Sequence, residues 1–190
     1  DMVDSSSIGQ EVDEKMFELR PTVKGKTFWT DPRTIEFRPD ERMTSGQVYT
    51  VKFFLSHLIA DLSDDLKTFE YSFQVIPQNF EVAIVNIKPY SRTEMKQSII
   101  EGNFNTADYA NAEDIEKSVE AFQDGRKLGL TWTHGEDGKI HQFAVEQVER
   151  REETGKVDIR VNGKSIGIDR TQDLQVDIPP LAEFKLMNVR

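Results

Sequence analysis

Apolar and polar residues alternate with a period of two through most of this chain, the pattern of strands that turn one face to a core. Thr27-Phe28-Trp29 runs into the turn Thr30-Asp31-Pro32-Arg33, and Thr34-Ile35-Glu36-Phe37-Arg38 then alternates until Pro39 stops it. This predicts a hairpin with one buried face. Gly46 next feeds Gln47-Val48-Tyr49-Thr50-Val51-Lys52-Phe53, whose Tyr, Val and Phe share a side. Tyr49, three residues after the turn glycine, stands where sandwich domains place a tyrosine corner, with its hydroxyl bonded back to the turn backbone. A polar loop through Asp61, Asp64 and Asp65 leads to Phe69, Tyr71, Phe73 and Val75, the clearest period-2 run in the chain.

After Phe80 the alternation resumes in Phe80, Val82 and Ile84, and again in Ser98-Ile99-Ile100-Glu101-Gly102-Asn103-Phe104. The period then changes. Ile115, Val119 and Phe122 fall at helical spacing behind Asn111, with acids in the first turn and a Glu113–Lys117 pair, so a short helix near 111–123 is expected, closed by Gly125. Strands return at Leu128 to Trp132, turn through His134-Gly135-Glu136-Asp137-Gly138, and run from Ile140 to Val148. Val157, Ile159 and Val161 enter Asn162-Gly163, read as a type I′ hairpin with Ile166-Gly167-Ile168 pairing back. Leu174, Val176 and Ile178 close the segment.

Two junctions divide this pattern. Ile76-Pro77-Gln78-Asn79-Phe80 ends one strand and opens another, and Ile178-Pro179-Pro180-Leu181-Ala182-Glu183-Phe184 repeats the device about one sandwich later. The expected fold is mainly β, with two tandem antiparallel β-sandwich domains and one short helix in the second. The boundaries fall at 1–77 and 78–190, with a last strand over 183–189 that starts a further domain. Asp1 begins in the midst of what reads as a domain, so the chain is expected to be a fragment of a longer one.

Composition narrows the partners. Apolar residues make up 37% of the 190, including twelve Phe, which suits two small cores. The net charge of −10, with no cluster of Lys and Arg, argues against nucleic acid or an anionic membrane surface as partner. No apolar stretch approaches the roughly 20 residues that span a bilayer. With no cysteine, disulfides, thiolate metal sites and cysteine nucleophiles are excluded.

Residues with candidate chemistry are few. His134 and His141 flank a turn closely enough to face one side of a hairpin, with Glu136 and Asp137 nearby, yet a zinc site needs three or four ligands with supporting hydrogen bonds, and solvated turn residues explain them more simply. The third histidine, His57, has no such company. Asp61, Asp64 and Asp65 lack the Asp-x-Asp-x-Asp-Gly order of a calcium loop. Ser5-Ser6-Ser7 is not a nucleophile elbow, and Gly125-Arg126-Lys127-Leu128-Gly129 is not a phosphate loop. Trp29 and Trp132 would offer sugar platforms if exposed, although aromatics in alternating strands are usually core. No catalytic, cofactor-binding or metal-binding residue is assigned, and no cofactor is expected.

Val23-Lys24-Gly25 with Phe28-Trp29, Arg33 to Pro39, Gly46 to Val51 and Phe69 to Phe73 together resemble the bacterial Ig-like domain of surface proteins and of the N-terminal region of bacterial alpha-2-macroglobulins. The family's first strand ends in a segment that Asp1-Met2-Val3-Asp4 matches only at its tail, so that strand is expected to be missing and a sheet edge left open. The second segment is similar to a macroglobulin-type domain, through Glu101 to Asp108, His141 to Arg150 and Val161 to Lys164. The resemblance implies a long, lipid-anchored chain of the periplasm or cell surface that traps proteases when a bait region is cut, in some members with a thioester built on Cys-x-Glu-Gln. Without cysteine this segment cannot carry the thioester. The implied role is therefore non-enzymatic scaffolding, with neighbouring domains of the same chain and the trapped protease as partners. The alternative is a cell-surface adhesion or glycan-binding Ig-like module.

Overall fold

A computed structural model describes residues 2–91 and 95–183 and is mainly β, with four antiparallel sheets and one α-helix. The chain divides into two compact units, Asp1–Pro77 and Gln78–Arg190. The strand expected over 183–189 lies, from Phe184 onward, outside the described residues.

The first unit packs a three-stranded sheet against a two-stranded one. Strands β1 (Phe17–Arg20), β4 (Val48–Phe53) and β5 (Phe69–Gln74) form the larger sheet in the order β1-β4-β5, and β2 (Gly25–Asp31) pairs with β3 (Thr34–Pro39) in the smaller. The β2–β3 hairpin turns at Asp31, whose carboxylate accepts the Arg33 N–H at 2.8 Å. Trp29, Tyr49 and Val51 are buried between the sheets. The tyrosine corner is present: the Tyr49 hydroxyl accepts the Thr44 N–H at 3.2 Å, tying β4 to the turn that starts it.

Strand β5 departs from the expectation of a half-buried strand. Phe69, Tyr71 and Phe73 are 60%, 43% and 37% exposed. They lie opposite Phe53, Val51 and Tyr49 in register and so share the inner face of the sheet, yet β5 is its edge strand and the smaller sheet is too narrow to cover it. Between β5, β4 and β3 an apolar groove of about 490 Å³ stays open, lined by residues such as Ile35, Phe37, Phe53, Tyr71 and Phe73.

The second unit is a two-sheet sandwich. One sheet has the order β10-β11-β7-β6, from β6 (Phe80–Pro89), β7 (Gln97–Thr106), β10 (Leu130–His134) and β11 (Ile140–Glu149). The other has the order β13-β12-β8-β9, from β8 (Val119–Gln123), β9 (Arg126–Leu128), β12 (Gly155–Asn162) and β13 (Thr171–Ile178). Ile100, Phe104, Phe143 and Val145 of the first face Ala121, Val157, Ile159 and Val161 of the second in one core. The Phe143 ring fills the space over Gly102, where a Cβ would stand 2.3 Å from its Cζ.

Four expectations about local structure are corrected. The helix α1 covers only Ala112–Glu116, and Val119 and Phe122 belong to β8. Asn111 does cap it, accepting the Glu113 N–H at 3.0 Å, but Lys117 pairs with Asp114 and not with Glu113. Val119, Ala121 and Gln123 alternate inward, and pairing of β8 with β12 outweighs the helical spacing. Gly125 does not end a helix: Asp124 and Gly125, at φ 51° and 80°, make the two-residue turn joining β8 to β9, which only a primed turn allows. Conversely, Asn162-Gly163 is not a type I′ turn. Asn162 caps a 3-10 turn over Gly163–Ile166, accepting the Lys164 N–H, and Ile166 to Ile168 do not pair back; the return strand begins at Thr171.

At the end of β11 the Arg150 guanidinium donates to the carbonyls of Pro179 at 3.1 Å and Pro180 at 2.7 Å, fixing the chain where it leaves β13.

Replacing Gly102 by Ala forces the Phe143 ring from its place, and overpacking of this kind costs about 1–3 kcal/mol. Urea denaturation of the variant is expected to show a midpoint lowered accordingly, with the slope unchanged.

Candidate functional site

A cluster of titratable side chains with an unusual geometry lies at an end of the second sandwich. The chain turns from β10 to β11 through Gly135-Glu136-Asp137-Gly138-Lys139, which makes His134 and His141 direct cross-strand partners. The turn is held by Asp137, whose carboxylate accepts the N–H groups of Lys139 at 2.9 Å and Ile140 at 3.3 Å. Those bonds, the Lys139 amide first, hold the Asp137 carboxyl below its ordinary range.

The two imidazoles meet Nδ1 to Nδ1 at 2.8 Å, and Nε2 of His134 lies 3.2 Å from the Glu116 carboxylate at the last residue of α1. A carboxylate only accepts, so His134 Nε2 carries the hydrogen. Its Nδ1 is then the acceptor in the neutral ring, and His141 Nδ1 donates to it. The remaining atom, His141 Nε2, is buried without a hydrogen-bond partner. In this tautomer it is a bare lone pair among apolar groups, which costs less than an orphaned N–H.

This arrangement disfavours a proton on His141. Burial pushes its pKa below the ordinary histidine value and His134 beside it pushes the same way, while the Gly138 carbonyl and Asp137 act in opposition. The Phe104 ring meets His141 edge-on at 6.5 Å, and Trp132 stacks on His134 with centroids 5.8 Å apart. The cluster is thus a carboxylate, imidazole, imidazole chain backed by aromatic rings.

The hairpin does bring His134 and His141 together, but the other residues weighed with them stay apart. Glu136 is exposed, Asp137 is committed to its own turn, and no group of three or more His, Cys, Asp or Glu among the described residues is placed to hold a metal ion. His57 is far along the chain in the first unit, bonded through Nδ1 to the Lys15 carbonyl at 3.0 Å. Asp64 forms an ion pair with Lys67. Ser5–Ser7 is a single exposed 3-10 turn. Glu116 was not legible as a partner for His134, because a helix running on to 122 carries it elsewhere.

The tryptophans offer no sugar platform. Trp29 is buried between the sheets of the first unit, and Trp132 turns inward, its ring 5.4 Å from that of Phe143 and 6.5 Å from that of Phe104. No helix among the described residues is long and apolar enough to cross a membrane. No protein-family model matches the chain, and no curated protein matches it in sequence.

His141 generates a pH dependence whose sign follows from its depressed pKa. Between the ordinary value of 6.5 and the lower folded value the unfolded chain binds more protons than the folded one, so stability is fully present above that window and falls as pH drops through it. Urea denaturation followed from about pH 7 to about pH 5 is expected to show this loss, and replacement of His141 by Leu is expected to flatten it.

Proposed function

We propose that the chain is a non-catalytic, load-carrying pair of domains from the N-terminal region of a bacterial alpha-2-macroglobulin-like protease trap of the cell envelope. The observation that carries the reading is the tandem construction: two compact antiparallel β units follow one another in the chain, divided between Pro77 and Gln78. A modular chain of rigid sandwiches suits a protein that must hold a large frame open and then let parts of it move. The motifs that resemble the family sit on β2, β3, β4 and β5 and their turns; Trp29, Tyr49 and Val51 among them are buried, whereas those of β5 are exposed. They concern architecture, and the assignment of activity rests on the resemblance.

Within that frame, Tyr71, Phe73 and the open groove beside β3 give the first unit an apolar face suited to contact with a neighbouring domain of the parent chain. The parent would meet a protease through other segments, since this one has no cysteine for a thioester. The rival reading, an Ig-like glycan-binding module built on a tryptophan platform, has no support in the first unit, where Trp29 is buried.

The isolated chain is expected neither to inhibit endopeptidases nor to take up methylamine, and a saturable inhibition curve against any endopeptidase would overturn the reading. Recovery of the native parent from the cell envelope with antibody against this chain gives the second check. A chain many times larger than 21.9 kDa supports a trap, and methylamine uptake by that parent identifies the thioester class; a product near 21.9 kDa sinks the proposal.

A further inference from the structure

The outer face of the β10-β11-β7-β6 sheet carries a feature that scaffolding does not require. Glu101, Asn103 and Asn105 alternate outward along β7, away from the core side where Ile100, Gly102 and Phe104 lie. Register places Gln142 beside Asn103 and Thr133 beside Gln142, so two amides and a hydroxyl stand in one row across three strands. The next row brings Glu81 against Asn105. At the antiparallel rise of about 3.4 Å per residue, the run from Glu101 to Asn105 is about 14 Å long.

This face is not flat. A depression of about 330 Å³ lies over Glu101, Asn103, Thr133 and Gln142, and a second of about 240 Å³ continues along β7 over Glu81 and Asn105. One wall comes from an irregularity in β6: the register shifts between Ile84 and Asn86, and the extra residue, Val85, stands 61% exposed at the rim. Ile140, beside Asn105 in register, is 53% exposed. Ala144, next to Gln142 on the same face, leaves the floor low.

The polar groups are available. Among the described residues the side chains of Asn103, Asn105, Gln142 and Thr133 have no hydrogen-bond partner, in contrast to Thr131, which donates to Glu146, and Glu101, which is paired with Lys88. An amide offers two donors and an acceptor, and a hydroxyl offers both, a set that matches ligand hydroxyls which also donate and accept. The remaining charge on the trough is acidic, from Glu81, with Glu101 neutralised by Lys88. That sign, and the absence of any unpaired cation among the described residues of the lining, disfavours a polyanion.

We propose that this trough binds a neutral oligosaccharide. The amides of Asn103, Asn105 and Gln142 and the Thr133 hydroxyl hydrogen-bond its hydroxyl groups, and Val85 and Ile140 contact the apolar faces of its rings. The site belongs to the second unit, where Trp132 lines the depression while its ring packs on Phe143 and Phe104, and is independent of the trap reading.

The test is titration of the isotope-labelled 190-residue chain with neutral gluco-, manno-, xylo- and N-acetylglucosamine oligosaccharides, and with a sulfated oligosaccharide as anionic control, reading the side-chain NH₂ signals of Asn103, Asn105 and Gln142. At least one neutral series is expected to shift all three saturably, and the sulfated ligand none. The combined Asn103→Ala and Gln142→Ala variant, in exposed or half-exposed positions, is expected to keep its unfolding midpoint and to bind about tenfold or more weakly. The proposal is overturned if no neutral series moves these amides at tens of millimolar, if the variant binds as tightly as the parent, or if polar peptides move them and no saccharide does.

Discussion

The alternation of side chains along β7 is the constraint on which the second unit depends. β7 is paired on both sides, by β6 and β11, so its register decides what faces the core and what faces solvent across the sheet. A slip of one residue would send Phe104 outward and Asn103 into the core. The register is pinned from several directions. Phe143 occupies the space above Gly102, Phe80 stacks on Phe104 with centroids 5.3 Å apart, and the Arg170 guanidinium covers Phe80 at 3.9 Å while donating to its carbonyl. The inner face and the trough outside it are two readings of one alternation.

The other determinant is the point at which α1 stops. Ending at Glu116 frees Val119 and Ala121 to enter the core as β8 and leaves the Glu116 carboxylate beside His134. The stop is held by the hydroxyls of Ser118 and Ser165, which lie 2.7 Å apart and within 2.9 Å and 2.7 Å of the Asp114 carbonyl, so that one donates to the other and the second to the carbonyl. Closing the sandwich and assembling the carboxylate–imidazole chain are therefore one event. The same segment could not have done either as a helix of three turns.

Much of the fold was legible because period-2 alternation is a direct image of a half-buried strand. The β2–β3 hairpin, the Tyr49 corner and the inward residues of β6, β7, β11 and β12 follow from it. What was not legible lay where two local signals competed. Val119-Glu120-Ala121-Phe122-Gln123 carries both periods, and only pairing with β12, distant in sequence, decides between them. Asp124-Gly125 and Asn162-Gly163 are both strong turn dipeptides, but Gly163 lies buried under the Phe80 ring, where a Cβ would stand 2.8 Å from it, so tertiary packing turns that second dipeptide into a 3-10 cap. Of the candidate site, the facing of His134 and His141 could be read from the hairpin. Glu116 and the trough could not, since both arise from contacts across elements.

Arg150 gives the unit a mechanical property. β13 is an edge strand, antiparallel to β12, and a pull on the chain beyond Ile178 would by itself peel its bonds one at a time from the Gly155 end. The grip of Arg150 on the Pro179 and Pro180 carbonyls, joined by the Leu181 N–H on the Arg151 carbonyl at 2.7 Å, intercepts that pull. Those contacts anchor the departing chain to residues that directly follow β11, an interior strand bonded along both sides. The end of one sheet is thereby tied to the chain that leaves the other, and the C-terminal exit is held by both layers of the sandwich.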